Sequence, residues 1–520
     1  MEKIALKVKD LWFGFKNWVK ENPKEAAILT LILLVGAFLR LYKISQYMTF
    51  LGDEGRDVII VRRLLAYGDF FLIGPGTSIG EMYLGPLYYY MMAPALFLAG
   101  FSPVGPAIQI ALLGVVTIAL VYFIGKEWFG KWGAALGAFL YAISPTLIIY
   151  SRSSWNPNIM PFFALACIYS LWRIWRARQW KWVIVLGISF AFVLQSHYLG
   201  LLLAPTIGLF WLLTFLKEKR KGFGTKEFIK TSVIAAVVFA ALMSPLVIFD
   251  ARHGFRNFSA MKKFFAERQT TVSARPWNAL PKIPELSTKI TSGLVTGRNN
   301  ALAKTTAGFF LGAIGWLLIF RWKGLSQKEK AAYILLGSWL GFAILGLGLY
   351  KQEIYDHYYG FFFAAPFLLL AGLSQEIVKT KNKGAVILLA IGFLFLSWAN
   401  IKNNPLWYSP NRQLQRGMIV AEKIREESKG ERFNLAVIAE RNYEDGYQYF
   451  LEKEGAPVVD IDAQRPETIT DQLFVVCEIP REKCDPTHNP KTEVANFGWT
   501  KIEKEWEISG VLLYKLVHSK

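Results

Sequence analysis

Charged residues and cysteines are scarce in this 520-residue sequence. Only 19% of its residues are charged, whereas 53% are apolar and the mean hydropathy is +0.30. Soluble proteins carry about a quarter charged residues, so the composition excludes a string of ordinary soluble domains, a coiled coil and a disordered chain. Three cysteines are too few for a disulfide scaffold or a cysteine zinc site.

Two other features are missing from the sequence. It has no glycine-rich loop of the kind that holds nucleotide phosphates, so a nucleotide-dependent reaction is not indicated. Residues 1–25 lack the short apolar core and cleavage site of a secretory signal. They instead interleave six lysines with aromatic residues, a pattern that predicts an amphipathic helix on the cytoplasmic surface of a membrane.

Long apolar runs fill residues 26–400, which therefore form a helical domain that crosses the membrane many times. A helix needs about 20 apolar residues to cross the hydrocarbon layer, and about eleven runs approach this length. The eleven spans are predicted near 26–42, 104–124, 133–150, 159–177, 182–197, 198–216, 231–249, 305–320, 331–349, 358–375 and 384–400.

The distribution of basic residues predicts the orientation. Short connections rich in Lys and Arg stay in the cytoplasm. Such connections follow the second, fourth, sixth, eighth and tenth spans, provided that the proline-broken stretch 84–100 lies in the interface and does not cross. The loops 43–103 and 250–304 then lie outside a plasma membrane. The net charge of +20 therefore reflects topology, and we expect no nucleic-acid partner.

The tail, residues 405–520, differs from the rest of the chain in composition. It is charged, and short alternating apolar runs flank a helix-like stretch. This pattern predicts a small soluble α/β domain on the outer face. Cys477 and Cys484 would lie there, where oxidation is allowed, and the sequence leaves open whether they pair.

A polar cluster comes directly after the first predicted span, in residues 52–57. One acid can cap a helix start, and the simplest interpretation is that Asp53 does only that. Three acids and an arginine exceed the needs of a cap, and their spacing places Asp53, Arg56 and Asp57 on one helical side. Asp53 and Glu54 are therefore candidate catalytic residues.

Glu81 is a third candidate catalytic acid, because it stands just before the aromatic stretch 84–100 in the same loop. The alternative is an ordinary solvated loop acid. Carboxylates suit a general base or a divalent metal. Asp53 and Glu81 are the residues that would hold a metal, and the sequence leaves that requirement, like any other cofactor, open.

Cationic and polar side chains gather at other outer ends of the predicted spans. Although a lone histidine is usually structural, three at outer ends beside basic residues predict a site for an anion such as a phosphate. The candidates for a donor phosphate are Arg56, Arg152, Arg252, His253, Lys351 and His357, and those for the rest of the cavity are Asp57, Asn156, His197 and Tyr358.

The order and common sidedness of several short motifs resemble the C-type (GT-C) glycosyltransferase superfamily. The nearest resemblance is to its aminoarabinose-transferase and protein O-mannosyltransferase branch, and it extends over about residues 27–375. The motifs are Gly-Asp-Glu-Gly-Arg at 52–56, Leu-Gly-Pro-Leu-Tyr-Tyr at 84–89, Phe-Gly-Lys-Trp at 129–132, Tyr-Ser-Arg at 150–152 and His-Tyr-Tyr at 357–359.

This resemblance implies a GT-C fold and transfer of one sugar from a polyprenyl-phosphate donor. The acceptor would be a lipid, glycan or protein on the outer face of the membrane. Asp53 matches the family's first-loop acid, which serves as base or lies near a metal, and Arg56 matches the motif arginine. The family's second acid directly precedes the proline helix and is often followed by lysine. Glu81 comes too early and no lysine follows, so its role stays open.

Three alternatives remain at this stage. A transporter or lipid flippase would need charges near mid-membrane or matching broken helices, and the predicted span centres are largely free of charge. An oligosaccharyltransferase usually carries a Trp-Trp-Asp motif in a large tail, and this sequence has none. An O-antigen-ligase-like enzyme would leave Asp53 and Glu54 unexplained.

Overall fold

A computed structural model describes residues 14, 16–80, 82–222, 224–267 and 271–519. Most of the predicted surface helix over 1–25 lies outside this part of the chain, although residues 16–21 are helical. Glu81 also lies outside the described residues.

Most of the described chain is helical. The helices are α1 (Pro23–Leu41), α2 (Ile44–Tyr47), α3 (Gly52–Tyr67), α4 (Leu87–Leu98), α5 (Val104–Trp128), α6 (Lys131–Ile143), α7 (Pro145–Tyr150), α8 (Met160–Trp175), α9 (Lys181–Ser196), α10 (Ala204–Lys221), α11 (Thr225–Arg252), α12 (Arg256–Ala266), α13 (Ile283–Leu294), α14 (Asn300–Trp316), α15 (Gln327–Leu349), α16 (Ala365–Lys379), α17 (Lys383–Lys402), α18 (Gln413–Ser428), α19 (Asp445–Lys453) and α20 (Thr492–Phe497).

Several of these helices are long and apolar enough to cross a membrane, as expected of a multi-pass membrane protein. Among the described residues six helical segments meet that standard, and a seventh does if the pair 356–362 and 365–379, bent by 57°, is one span. The predicted number of eleven is not confirmed. Helices α8 and α9 have only 16 residues each, and the predicted span 133–150 breaks before Pro145, where α6 ends and α7 begins.

Small residues allow the membrane helices to pack closely. A Cβ atom on Gly133 would lie 2.0 Å from the carbonyl oxygen of Ala371, and one on Gly137 would lie 2.5 Å from that of Phe367. Only glycine fits at such distances, so the backbones of α6 and α16 lie against each other.

Two buried arginines fix the end of α1. Arg152 donates from Nη1 to the carbonyl oxygen of Leu39 and from Nη2 to that of Tyr42, both at 2.6 Å. Arg40 donates from Nη1 to the carbonyl oxygen of Ala142 at 2.9 Å. Carbonyl groups at a helix C-terminus need such donors. The point at which the chain leaves the bundle for the loop 43–103 is therefore fixed.

The tail contains a four-stranded sheet of β1 (Asn434–Ile438), β2 (Gln472–Cys477), β3 (Thr500–Ile508) and β4 (Val511–His518). The spatial order is β1-β2-β4-β3, in which only the β1–β2 pair is parallel. Every residue of β1 and β2 is buried, as expected of strands that are covered on both faces. Cys477 and Cys484 form a disulfide.

The tail packs directly on the loop that follows α1. Phe50 and Tyr89 from the loop belong to the same hydrophobic core as Leu414 and Phe450 from the tail. Arg63 of α3 forms an ion pair with Glu452 of α19, with 2.6 Å between Nη2 and Oε1. The tail therefore covers α3, the helix that carries the predicted acidic cluster.

Candidate functional site

Glu54 caps the start of α3, so Asp53 does not serve as its N-cap. The Glu54 Oε2 atom accepts a hydrogen bond from the peptide N–H of Leu51 at 3.0 Å, and the Glu54 side chain is buried. Burial raises the pKa of Glu54 to about 7. The peptide N–H of Gly52 donates to Asn442 Oδ1 of the tail at 2.8 Å. Because Glu54 and Asn442 accept the peptide N–H groups at the helix start, the Asp53 carboxylate is not needed there as a cap.

Arg56 binds both of the acids that share its side of α3. Its Nη1 atom is 2.9 Å from Asp53 Oδ1, and its Nη2 atom is 2.7 Å from Asp57 Oδ1. The Tyr443 hydroxyl of the tail also donates to Asp53 Oδ1. The structure thus brings together the three residues that the sequence placed on one helical face, and adds a tyrosine that lies 390 positions later in the chain.

The two acids differ in exposure. The side chain of Asp57 is fully buried, whereas 41% of the Asp53 side chain is exposed. Burial raises the pKa of Asp57 to about 6 although Arg56 opposes the shift, and the Tyr89 hydroxyl donates to its Oδ1 at 3.0 Å. Asp57 therefore holds Arg56 from the buried side, and Asp53 is the solvent-accessible carboxylate of the two.

Several of the predicted cavity residues form an aromatic cluster. The His357 ring is 4.7 Å from Trp155, 4.6 Å from Tyr358 and 5.8 Å from His197, measured between ring centroids. The structure therefore brings His197, His357 and Tyr358 together.

Structural contacts occupy the polar atoms of some predicted cavity residues. Asn156 donates from Nδ2 to the carbonyl oxygen of Ser196 at 2.7 Å. His197 accepts at Nδ1 from the peptide N–H of Leu199 at 3.1 Å. The guanidinium group of Arg152 binds the end of α1, as described above, and is not brought to Asp53. The three side chains are thus bound to backbone atoms of the protein itself.

Arg252, His253 and Lys351 lie farther out, and all three are exposed. The His253 ring stacks on Phe249 with 4.0 Å between centroids. Arg256 begins the helix that follows, and Gln352 follows Lys351. Both line a cavity of about 530 Å³ between the loop at 78–80 and α12, together with Ser78, Ser259 and Lys263.

Four residues that interact in or beside the predicted clusters were not predicted from the sequence. Asp356, which precedes His357, forms an ion pair with Arg298, with 2.8 Å between its Oδ2 atom and Nη2. Asp356 could have been found from its proximity to His357. Arg298, Asn442 and Tyr443 carry no local signal, because only the folded chain brings Arg298 to Asp356 and brings Asn442 and Tyr443 to the start of α3.

The described carboxylates do not form a metal site. No group of three or more His, Cys, Asp and Glu side chains that could hold a metal ion occurs among the described residues. The space between Asp53 and Asp57 is filled by the Arg56 guanidinium. The predicted pair of Asp53 and Glu81 stays an open alternative, because Glu81 lies outside the described residues.

An apolar groove runs between α13, α14, α15 and α16. Its volume is about 580 Å³, and its walls include Ile290, Phe310, Leu340 and Leu369. Thr291 of α13 also belongs to the lining, and a Cβ atom on Gly293, two residues further along the same helix, would lie 3.3 Å from Asp356 Oδ1. The lining of the groove is mostly apolar.

We expect Gly55→Ala to loosen the tail from α3. A Cβ atom on Gly55 would lie 2.3 Å from the carbonyl carbon of Asp445, and overpacking of this kind costs about 1–3 kcal/mol. Thermal unfolding and limited proteolysis of the tail should both report the change. Gly208→Ala in α10 is the control, because no atom lies within 4 Å of its added Cβ. Equal behaviour of the two variants would contradict the tight contact.

The contact between α3 and the tail should weaken at high pH. Burial raises the pKa of Glu54 to about 7, of Asp57 to about 6 and of Asp445 to about 7. Unfolded acids titrate near pH ~4, so the folded state holds more protons. The stabilisation is complete below pH ~4 and is lost as the pH rises through about 6 to 7.

The midpoint of thermal unfolding should accordingly be lower at pH 8 than at pH 5. Asp445→Asn should reduce this difference, whereas Asp471→Asn, which changes an exposed acid of the same tail, should leave it unchanged. If the unfolding midpoint of Asp445→Asn fell as much between pH 5 and pH 8 as that of the wild type, the role of this acid would be disproved.

Comparisons with known proteins agree with this architecture. A family model described as dolichyl-phosphate-mannose-protein mannosyltransferase matches residues 84–249. The chain is 23% identical over 234 residues to the putative mannosyltransferase YkcB of Bacillus subtilis strain 168, an alignment that covers 44% of this chain and 31% of that protein. The similarity thus spans about a third of the length of this relative.

Two solved structures resemble nearly the whole chain. ArnT from Cupriavidus metallidurans bound to undecaprenyl phosphate has a TM-score of 0.60 at 12% identity, with 95% of this chain and 98% of that chain covered. The oligosaccharyltransferase AglB from Archaeoglobus fulgidus, in complex with an inhibitory peptide and a dolichol-phosphate, has a TM-score of 0.53 at 13% identity, with 89% and 70% covered.

The resemblance indicated by the sequence motifs is confirmed: this chain is a multi-pass membrane protein with the fold of the GT-C superfamily of glycosyltransferases.

Proposed function

We propose that the chain is a membrane glycosyltransferase that moves one sugar from a polyprenyl-phosphate donor to an acceptor hydroxyl, with Asp53 as general base. The observation that carries this proposal is the state of the Asp53 carboxylate. Two donors hold its Oδ1 atom, while the side chain remains 41% exposed. A base must be held in place and still be within reach of the proton that it takes.

In the proposed reaction Asp53 Oδ2 takes the proton of the acceptor hydroxyl. The acceptor oxygen forms a bond to the anomeric carbon of the sugar. The bond between that carbon and the phosphate oxygen breaks, and its electron pair leaves with the polyprenyl phosphate. Attack opposite the leaving group inverts the anomeric carbon. Cations near the leaving phosphate lower the barrier because they compensate its growing charge.

The donor phosphate is best accommodated among the exposed cations on the outer side of the site. Arg56 is bound to Asp53 and Asp57, and Arg152 is bound to backbone carbonyls. Arg256 and Lys263 are exposed and line the cavity of about 530 Å³ beside α12, while the exposed Arg252 and Lys351 precede the lining residues Arg256 and Gln352 in the chain. The ArnT and AglB structures hold undecaprenyl phosphate and a dolichol-phosphate, which supports a lipid phosphate as donor.

The orientation follows from the short basic connections. The links α5–α6, α8–α9, α10–α11, α14–α15 and α16–α17 carry most of the Lys and Arg residues of the short connections, which favours a cytoplasmic location for them. The first loop, α12 and the tail then lie outside the plasma membrane. The acceptor class, whether lipid, glycan or protein, stays open in this proposal.

The test uses the purified chain in lipid with a panel of polyprenyl-phosphate monosaccharides and follows the release of free polyprenyl phosphate. Asp53→Asn should lower the rate by about 100-fold or more, since general-base catalysis contributes at least that much. Asp69→Asn, a change of an exposed acid just after α3, should behave as the wild type does.

Release at equal rates by the wild type and Asp53→Asn would move the base to another residue. Donor binding without release in the presence of candidate acceptors, combined with movement of the labelled lipid across the membrane, would instead support a transporter or flippase.

A further inference from the structure

The first turn of α3 is covered by a short segment of the tail, residues 442–446. The Tyr443 hydroxyl donates to Asp53 Oδ1. Arg56 Nη1 is 2.9 Å from the same oxygen and 3.3 Å from the Tyr443 hydroxyl, to which it donates. The three polar groups therefore form a closed triangle in which the tail supplies one corner.

The backbone of α3 is shaped to receive this tyrosine. A Cβ atom on Gly52 would lie 2.4 Å from the Tyr443 ring, so the ring rests on the bare backbone of the helix start. Next to it, Asn442 Oδ1 accepts a hydrogen bond from the peptide N–H of Gly52 at 2.8 Å. Any side chain larger than glycine at position 52 would push Tyr443 away from Asp53.

Within the tail, hydrogen bonds to a residue next to β2 hold the segment that carries Tyr443. Asn442 donates from Nδ2 to Glu478 Oε1 at 2.8 Å, and Glu478 directly follows β2. The Tyr447 hydroxyl donates to the same carboxylate. Tyr443 thus lies in a loop between β1 and α19 that is tied on both sides to Glu478 by hydrogen bonds, and such support is what a group that orients a catalytic side chain requires.

The phenol is also kept in its donor form. Burial raises the pKa of Tyr443 above its ordinary value, and Asp53 adds to the effect although Arg56 opposes it. The hydroxyl therefore stays protonated at neutral pH and can only donate to the Asp53 carboxylate.

We propose that Tyr443 is a positioning residue for the reaction: it fixes the Asp53 carboxylate through Oδ1 so that Oδ2 faces the acceptor hydroxyl. This inference rests on the proposed function of Asp53 as the base. Among the described residues both hydrogen-bond donors of Asp53 converge on Oδ1. Loss of one of the two donors lets the carboxylate rotate, and the second oxygen then leaves the geometry that proton transfer needs.

The proposal also gives the tail a role in catalysis. The site is complete only when residues 442–446 lie on α3. The tail is therefore part of the active site and is more than an appended domain.

Tyr443→Phe tests the proposal, since it removes a single oxygen and keeps the ring on Gly52. Because a hydrogen bond to a charged group is worth more than a neutral one, we expect kcat for transfer to fall about 10- to 100-fold. KM for the polyprenyl-phosphate sugar should stay unchanged, because the donor phosphate does not touch Tyr443 in the proposed arrangement.

Tyr449→Phe is the matched control. The Tyr449 hydroxyl donates to the carbonyl oxygen of Phe101, so this variant loses a hydrogen bond between the tail and the first loop but none to Asp53 or Arg56. It should keep the wild-type kcat. Wild-type kcat in Tyr443→Phe, or an equal loss in both variants, would overturn the positioning role.

A double-mutant cycle tests the contact between Tyr443 and Asp53 without the activity assay. The midpoint of thermal unfolding is measured for Tyr443→Phe, Asp53→Asn and the double variant. Coupled side chains should give a non-additive result, and strict additivity would contradict the contact. If the wild type releases no polyprenyl phosphate from any donor while the cycle is coupled, the proposed function fails and the contact stands.

Discussion

The ion pairs of Arg56 are the interaction on which the site depends. A fully buried carboxylate such as Asp57 is costly to ionise without a partner, and Arg56 is that partner, at 2.7 Å. The same guanidinium reaches Asp53 at 2.9 Å and Tyr443 at 3.3 Å. One cation therefore ties a buried acid, an exposed acid and the tail together. Because Asp57 anchors it from inside the protein, Arg56 can orient Asp53 without being drawn towards a substrate.

Buried contacts at the end of α1 and at the start of α3 determine where Asp53 and Arg56 lie relative to the membrane domain. Arg152 and Arg40 bind the carbonyl groups around the end of α1 and the backbone of α6, so the chain enters the first loop at a fixed place. Glu54 then starts α3 by capping Leu51. Residues that resemble catalytic groups in the sequence, Arg152 and Glu54, thus act on the backbone. Their hydrogen bonds help to fix the backbone that leads to Asp53, which is the second residue of α3.

Local sequence spacing predicted the parts of the site that lie on one element. The i, i+3 and i+4 positions of Asp53, Arg56 and Asp57 determine their common face once 52–67 is a helix, and the apolar runs of the tail became strands because their pattern suits a sheet. Tyr443 could not be predicted, since its contact with Asp53 spans 390 positions. The predicted number of eleven spans is not confirmed among the described residues, because Pro145 interrupts one apolar run and α8 and α9 are only 16 residues long.

The proposed reaction places different demands on the two parts of the chain. The donor phosphate is to be bound by exposed cations, of which Arg256 and Lys263 line the cavity beside α12, and the apolar groove of about 580 Å³ is the proposed place for the lipid chain. A base needs a carboxylate held against rotation, and the tail supplies a hydrogen bond to Asp53 from a tyrosine that rests on Gly52. In this proposal the membrane domain binds the donor and the tail orients the base. A chain that folded its helices correctly but left the tail undocked would then retain the groove and the cations and would lose the fixed orientation of Asp53.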